Sequence, residues 1–165
     1  MSRNTGNSLI INSIATLFCI VLFASCSKDE EVSGIPKADL LCGESWYIKA
    51  FSIDPSYPVV IGGLTFKVND LYFLFKNCAT DNSLIFNTDS TLVQDTGSKK
   101  CDPDEEQTVY GTWQLDAAEK NITWQITGEA EQEYEIVELN HDVLKVKDVF
   151  TENNVTYSAI LTLKH

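Results

Sequence analysis

Histidines, cysteines and acidic residues are the side chains of this chain that could do chemistry. His141 lies in a predicted turn and His165 is the last residue, and neither has a Cys, Glu or second His at the spacing of a metal site. The 24 acidic residues always supply some pair of carboxylates, so their number indicates no particular acid–base pair. A nucleophilic thiol needs a basic setting, which Cys42 lacks in the sequence. We therefore expect no enzymatic activity, no bound metal and no cofactor.

Cys26 has the surroundings of a cysteine that becomes linked to lipid. Ala24 and Ser25 are small residues of the kind that precede the cysteine of a lipobox, although Phe23 stands where leucine is commoner. Arg3 is the only charge before the apolar run 14–24, which is roughly half as long as the ~20 residues of a membrane-spanning helix. These features predict a signal peptide over 1–25, cut before Cys26. A short membrane anchor, a buried helix and ordinary secretion with an incidental cysteine are the alternatives.

The segment after Cys26 predicts a tether and a destination. Ser27-Lys28-Asp29-Glu30-Glu31 resembles the acidic export tag of surface lipoproteins in the Bacteroidota. This resemblance implies an outer-membrane protein that faces the cell exterior. We expect residues 26–38 to form an acylated flexible tether, anchored by fatty chains such as palmitate, of which two or more give stable attachment. The alternative is that these charges only keep the tether solvated.

The charge of the chain limits its partners. The net charge is −12, and cleavage after Ser25 would remove Arg3 and no acid, which makes it −13. Such a surface repels phosphate backbones and anionic lipid headgroups, so we expect no nucleic-acid partner. The length that remains suits a single hydrophobic core, which predicts one domain over residues 39–165.

Short strands joined by polar turns are predicted from Asp39 onward. Ile122, Trp124 and Ile126 alternate with polar residues, which is typical of a half-buried strand. Breaks are predicted at 54–58 and at 62–63, and the run 71–75 fits either a buried strand or a helical turn. The predicted strands cover residues 45–53, 64–68, 83–86, 91–93, 109–115, 122–127, 133–139, 143–149 and 155–163.

This series of strands predicts an all-β fold. About eight strands with short connections favour an antiparallel up-and-down β-barrel, because closure removes the exposed edges of a sheet. A barrel of about eight strands can hold one small ligand inside. A β-sandwich is the alternative architecture.

Several motifs resemble, in their order, the lipocalin-like lipoproteins of the Bacteroidota. The resemblance covers about Leu40 to the C-terminus and implies a lipocalin-like barrel. True lipocalins open with Gly-x-Trp, whereas Gly43-Glu44-Ser45-Trp46 has one residue more. The motifs are Leu41-Cys42-Gly43-Glu44-Ser45-Trp46, the segment 78–86 with its Cys78, then Cys101, and Gly111-Thr112-Trp113-Gln114-Leu115.

Three cysteines remain once Cys19 leaves with the signal peptide and Cys26 carries lipid. Cys42, Cys78 and Cys101 allow three single bridges, and their spacing alone leaves the pairing open. The resemblance implies a bridge between Cys78 and Cys101, which would leave Cys42 as a buried free thiol. That bridge would close a loop of ~24 residues and stabilise the fold by about 3 kcal/mol.

Three tryptophans are the candidate ligand-binding residues. Trp46, Trp113 and Trp124 carry the largest apolar side chains, and we expect the barrel to bind a small apolar ligand. In the alternative they fill the interior, and the protein is a non-catalytic interaction or structural module of the cell envelope. Its contact surfaces would then be the segment 54–63 and the acidic loop 101–106.

Two surface motifs complete the analysis. Asp89-Ser90-Thr91 resembles a short bacterial O-glycosylation sequence with Ser90 as the modified residue. The acids of Asp102-Pro103-Asp104-Glu105-Glu106 could gather Ca²⁺, but they lack the spaced Asp/Asn ligands and the Gly of a calcium loop. We therefore expect a solvated loop there.

Overall fold

The computed structural model describes residues 34–165, which form one closed antiparallel sheet. The signal peptide predicted over 1–25, Cys26 and residues 27–33 of the predicted tether lie outside the described residues. The described part consists of a short helix, α1 (Lys37–Leu41), and the strands β1 (Ser45–Ile61), β2 (Leu64–Asp70), β3 (Ser83–Phe86), β4 (Thr91–Asp95), β5 (Thr108–Leu115), β6 (Asn121–Ile126), β7 (Gln132–Leu139), β8 (Val143–Glu152) and β9 (Val155–Lys164).

Eight of these strands close a barrel. β1 pairs with β3, each following strand pairs with the next, and β9 returns to pair with β1. β2 is an additional strand that pairs with the second half of β1. The predicted antiparallel barrel is therefore confirmed, and the β-sandwich alternative is wrong because a single sheet closes on itself.

β1 is much longer than the sequence predicts. The break predicted at 54–58 is wrong, since the strand continues to Ile61 with an irregular register between Ser52 and Tyr57. A bulge of this kind accommodates residues that do not fit the regular ladder, including prolines, which have no N–H to donate. The chain then turns at Gly62-Gly63, where both residues have the positive φ that glycine adopts without strain. The run 71–75 contains a 3-10 turn at Tyr72–Leu74, which agrees with the helical-turn alternative.

α1 closes one end of the barrel. Leu40 and Leu41 of the helix are buried, and the Lys37 Nζ donates a hydrogen bond of 2.7 Å to the carbonyl oxygen of Glu119 in the β5–β6 turn. The helix begins two residues before the predicted start of the barrel domain at Asp39. Within residues 34–165, no helix combines the length and the hydrophobicity of a membrane-spanning segment.

The connections at the opposite end of the barrel are held together covalently. Cys78, before β3, forms a disulfide with Cys101, between β4 and β5, so the predicted pairing is confirmed. Beside it, Oδ2 of Asp81 accepts hydrogen bonds from the backbone N–H groups of Ser98 (2.9 Å) and Lys99 (3.1 Å). Burial alone would raise the pKa of Asp81, but these hydrogen bonds outweigh it and lower the pKa from its ordinary value. The disulfide and the carboxylate together tie the two loops at this end.

The apolar interior is divided into two clusters. The larger contains all three tryptophans and Leu41 of α1, and the smaller lies towards the disulfide-bridged end. The buried members of the larger cluster are Leu41, Trp46, Phe86, Leu92, Trp113, Ile122, Trp124, Ile126, Leu144, Val146 and Leu163, and those of the smaller are Ile53, Leu71, Tyr157 and Ala159.

Candidate functional site

A cavity of about 210 Å³ lies where the two core clusters meet. Val146, from the larger cluster, and Ala159, from the smaller, both line it, so the interior is not continuously packed. Its walls come from four neighbouring strands and from the segment between β2 and β3. The lining residues are Ile48 and Phe51 of β1, Phe75, Tyr134 of β7, Val146, Asp148 and Phe150 of β8, and Ala159 and Leu161 of β9.

Side chains along β8 alternate between the cavity wall and the outer surface of the barrel. Side chains of successive strand residues point to opposite faces, so Val146, Asp148 and Phe150 share the inner face. Lys145 and Lys147 lie on the outer face, where they form ion pairs with Glu138 and Glu135 of β7. The two lysines of this strand are therefore turned away from the cavity, whereas the Asp148 side chain lines it.

Two residues with polar side-chain groups, Tyr134 and Asp148, line this otherwise apolar cavity. Among residues 34–165, neither the Tyr134 hydroxyl nor the Asp148 carboxylate has a hydrogen-bond partner or an ion pair. Burial is the main cause that raises the pKa of Tyr134, and the negative charges of Asp148 and Glu129 add to it. Tyr134 therefore carries its proton at neutral pH and offers one O–H donor to the cavity, while Asp148 offers acceptor oxygens.

The volume sets the size of the molecule that could enter. An apolar cavity of about 150 Å³ accommodates benzene, and pockets for drug-sized ligands start at about 300 Å³. A cavity of about 210 Å³ thus has room for one aromatic ring with a short substituent. The rings of Phe51 and Phe75, with centroids 6.1 Å apart, contribute aromatic wall on one side of it.

The three tryptophans make core contacts, and none belongs to the lining of the cavity. Nε1 of Trp46 donates to the carbonyl oxygen of Leu41 at 2.9 Å, and Nε1 of Trp113 donates to that of Asn87 at 2.9 Å. The ring of Trp124 lies 4.3 Å from that of Tyr134, so this tryptophan supports a lining residue from behind. Ligand contact by the tryptophans stays a prediction, while the filling of the core is what they do in the fold.

A second depression, of about 560 Å³, is open to solvent beside the closed end of the barrel. Cys42 lines it and is a half-buried free thiol, more exposed than the sequence predicts. Burial and the neighbouring Asp39 carboxylate raise the pKa of Cys42, which disfavours the nucleophilic thiolate.

Ser90, close in sequence to the lining residues Thr88 and Asp89, is exposed, and its glycosylation stays a prediction.

In the acidic loop after Cys101, carboxylates accept hydrogen bonds from backbone N–H groups of the same loop. Oδ1 of Asp102 accepts from the N–H of Asp104 at 2.9 Å, and Oε2 of Glu105 accepts from the N–H of Cys101 at 3.0 Å. Within the described part of the chain, no group of three or more His, Cys, Asp or Glu side chains is placed to hold a metal ion.

The family of the chain follows from its sequence. The family model of the lipocalin-like domain matches residues 41–146. The chain belongs to the lipocalin-like domain family. The matched region ends within β8, and the barrel of this lipocalin-like chain is completed beyond it by β9, which pairs with both β8 and β1. No curated protein matches the sequence.

The polar groups of the cavity were not among the residues predicted from the sequence. The sequence contains a pattern that could have identified Asp148. Leu144, Val146 and Phe150 alternate along β8 as inward-facing apolar residues, and Asp148 occupies the same face. A carboxylate at a core-facing position is costly to bury without a partner, which marks it for attention. No alternation of this kind could identify Phe75 as a lining residue, because it lies outside every strand.

Proposed function

We propose that this lipocalin-like protein is lipid-anchored to the outer membrane, faces the cell exterior, and binds a small, largely apolar ligand in its barrel. The observation that supports binding most directly is the 210 Å³ cavity between two separate core clusters, lined mainly by aliphatic and aromatic side chains. The described chain enters the barrel at α1, at the end opposite to the disulfide-bridged loops.

Filling the cavity should weaken ligand binding. Ala159→Leu places a larger side chain into the existing space, so we expect the barrel to fold and the affinity for 2-phenylethanol to fall at least about tenfold. The measurement is a titration of the lipidated protein followed through the NMR signals of the Val146 and Leu161 methyl groups. Ser158→Leu adds comparable bulk at the adjacent residue, on the other face of β9, and should leave the affinity unchanged. Equal affinity of all three proteins would contradict binding in this cavity.

The proposed lipid is attached to the side chain of Cys26. In cells grown with labelled palmitate, the wild-type protein should carry the label and sediment with membranes, because several buried acyl chains give stable attachment. Cys26→Ser should lose the label, whereas Cys42→Ser should keep it. Label that persists in the Cys26→Ser variant would refute the anchor, and protection of the wild-type protein from protease added to intact cells would refute surface display.

An interaction module is the second candidate, and one observation favours it. The hairpin of β1 and β2 extends from the barrel with large apolar side chains exposed, including Leu64 (65% exposed) and Ile61 (49%). Ile61 pairs with Leu64, and Val59 with Phe66, so one face of the hairpin is almost continuously apolar. Exposed apolar patches of this kind mark contact sites with other proteins.

A photo-crosslinking residue at position 64 tests this candidate in intact cells. If the hairpin contacts an envelope protein, position 64 should give a discrete crosslinked species that the same residue at position 110 does not give. Tyr110 is the matched position because it is also strongly exposed (63%) but lies on β5. Identical crosslinking patterns at the two positions would exclude a specific contact through the hairpin.

A further inference from the structure

We propose that the cavity selects ligands that carry a protonated amine on a compact aromatic or similarly apolar body. This inference rests on the proposed ligand-binding function and adds the chemical class of the ligand. It follows from three features of the lining, namely one unpaired carboxylate, a group of aromatic rings, and the position of the nearby cations.

The carboxylate is the first feature. Asp148 faces the cavity from β8 and, within residues 34–165, has no ion pair or side-chain hydrogen bond. A carboxylate beside apolar surface loses part of its hydration without compensation, unless a positive or hydrogen-bonding group approaches it. An ammonium group supplies both a charge and several N–H donors, and such charge-assisted hydrogen bonds are about twice as strong as neutral ones.

The aromatic rings are the second feature. Phe51, Phe75, Tyr134 and Phe150 line the same cavity as Asp148. The faces of aromatic rings carry negative charge density and attract cations within about 6 Å. The rings therefore favour the apolar body of an aromatic amine by contact and its cationic head by electrostatics.

The cations are the third feature. No Lys or Arg belongs to the lining of the cavity, and Lys145 and Lys147 of β8 form ion pairs with β7 glutamates on the outer face. A ligand with a carboxylate, such as a fatty acid, would meet Asp148 without any compensating cation. The chain also carries a net charge of −12, which raises the local concentration of cations around it.

A series of three probes of nearly equal size tests the inference: 2-phenylethylamine, 2-phenylethanol and phenylacetate, which at pH 7 are a cation, a neutral molecule and an anion. The lipidated protein is titrated with each, and binding is followed through the methyl signals of Val146 and Leu161. We expect the amine to bind at least about tenfold more tightly than the alcohol, and the anion at least about tenfold more weakly.

Two variants assign the preference to Asp148. Asp148→Asn keeps the shape and removes the charge, so amine and alcohol should then bind within about threefold of each other. Asp142→Asn makes the same change in the exposed β7–β8 turn and should keep the wild-type preference. Retained binding of 2-phenylethanol shows that each variant is folded.

The outcomes separate the inference from the proposed function. If the wild-type protein binds the amine no more tightly than the alcohol, or if Asp148→Asn keeps the preference, the inference is wrong while ligand binding stands. If none of the three probes shifts the cavity signals, the proposed function fails and the inference fails with it. The comparison of amine and alcohol affinities for the wild-type protein tests the inference even if Asp148→Asn does not fold.

Discussion

Gly111→Ala is expected to lower the free energy of unfolding by more than about 3 kcal/mol, a large part of the stability of a small domain. Gly111 lies in β5 between β4 and β6, and an added Cβ would lie 2.0 Å from the carbonyl oxygen of Gln125. It would also lie 3.1 Å from the Cα of Ile126. Because both are backbone atoms, no change of rotamer relieves the overlap, and β5 and β6 must separate. Urea denaturation followed by tryptophan fluorescence measures the loss.

Gly62→Ala is the matched control for this prediction. It adds the same methyl group at the tip of the β1–β2 hairpin, where no atom lies within 4 Å of the new Cβ. Its φ of +60° makes alanine somewhat strained, so we expect a loss of about 1 kcal/mol. Equal stabilities of the two variants would show that β5 and β6 do not approach as closely as the structure has them.

The packing around Gly111 explains the structural role of the motif Gly111-Thr112-Trp113. The absence of a side chain at Gly111 allows the close approach of β6, and Trp113 then pairs with Trp124 across the two strands. The indole N–H of Trp113 reaches the carbonyl oxygen of Asn87 at the β3–β4 turn. The motif therefore fixes the position of β5 against both the neighbouring strand and the closed end of the barrel.

Strands whose two faces differ in polarity could be predicted from the sequence. In β6, Ile122, Trp124 and Ile126 are the buried residues, as their alternation with polar residues indicates. The β3–β4 hairpin was also predictable, because the segment 87–90 is rich in turn-forming residues. These features depend on interactions between residues close in sequence, and such interactions are what a single sequence records most clearly.

The continuation of β1 could not be predicted in this way. Two prolines in the segment 54–58 oppose a strand locally, yet Pro58 pairs with Lys67 and Val59 with Phe66. The strand persists because β2 folds back against it and the bulge absorbs the misfit. Tertiary pairing thus overrides local propensity.

The cavity was beyond sequence reasoning for a different reason. A space remains where side chains from β1, β7, β8 and β9 do not meet, and this depends on their sizes and on the bulges between Ile48 and Ala50 and between Ile136 and Glu138. The three tryptophans were reasonable candidates by size, but large aromatic side chains are also the ones that fill a core most effectively. The residues that do line the cavity are medium-sized and inconspicuous in the sequence.

Trp46→Ala is expected to cost about 3–5 kcal/mol, the range for removal of a large buried aromatic side chain. The side chain of Trp46 is fully buried, and its ring centroid lies 3.9 Å from that of the C-terminal His165. It connects α1, β1 and the end of β9, so its loss should open the closed end of the barrel. Trp46→Phe should cost less, about 1–3 kcal/mol, chiefly because the carbonyl oxygen of Leu41 loses its donor. Urea denaturation followed by circular dichroism measures both variants.

The same pair of variants separates a core role from a ligand-binding role for Trp46. Since Trp46 does not line the cavity, Trp46→Phe should leave the affinity for 2-phenylethanol within about twofold of wild type while lowering stability. Tyr110→Ala, at an exposed aromatic residue, should change stability by less than about 0.5 kcal/mol. If Trp46→Phe instead weakens binding strongly without loss of stability, Trp46 contacts the ligand as the sequence predicts, and the ligand must then reach the closed end of the barrel.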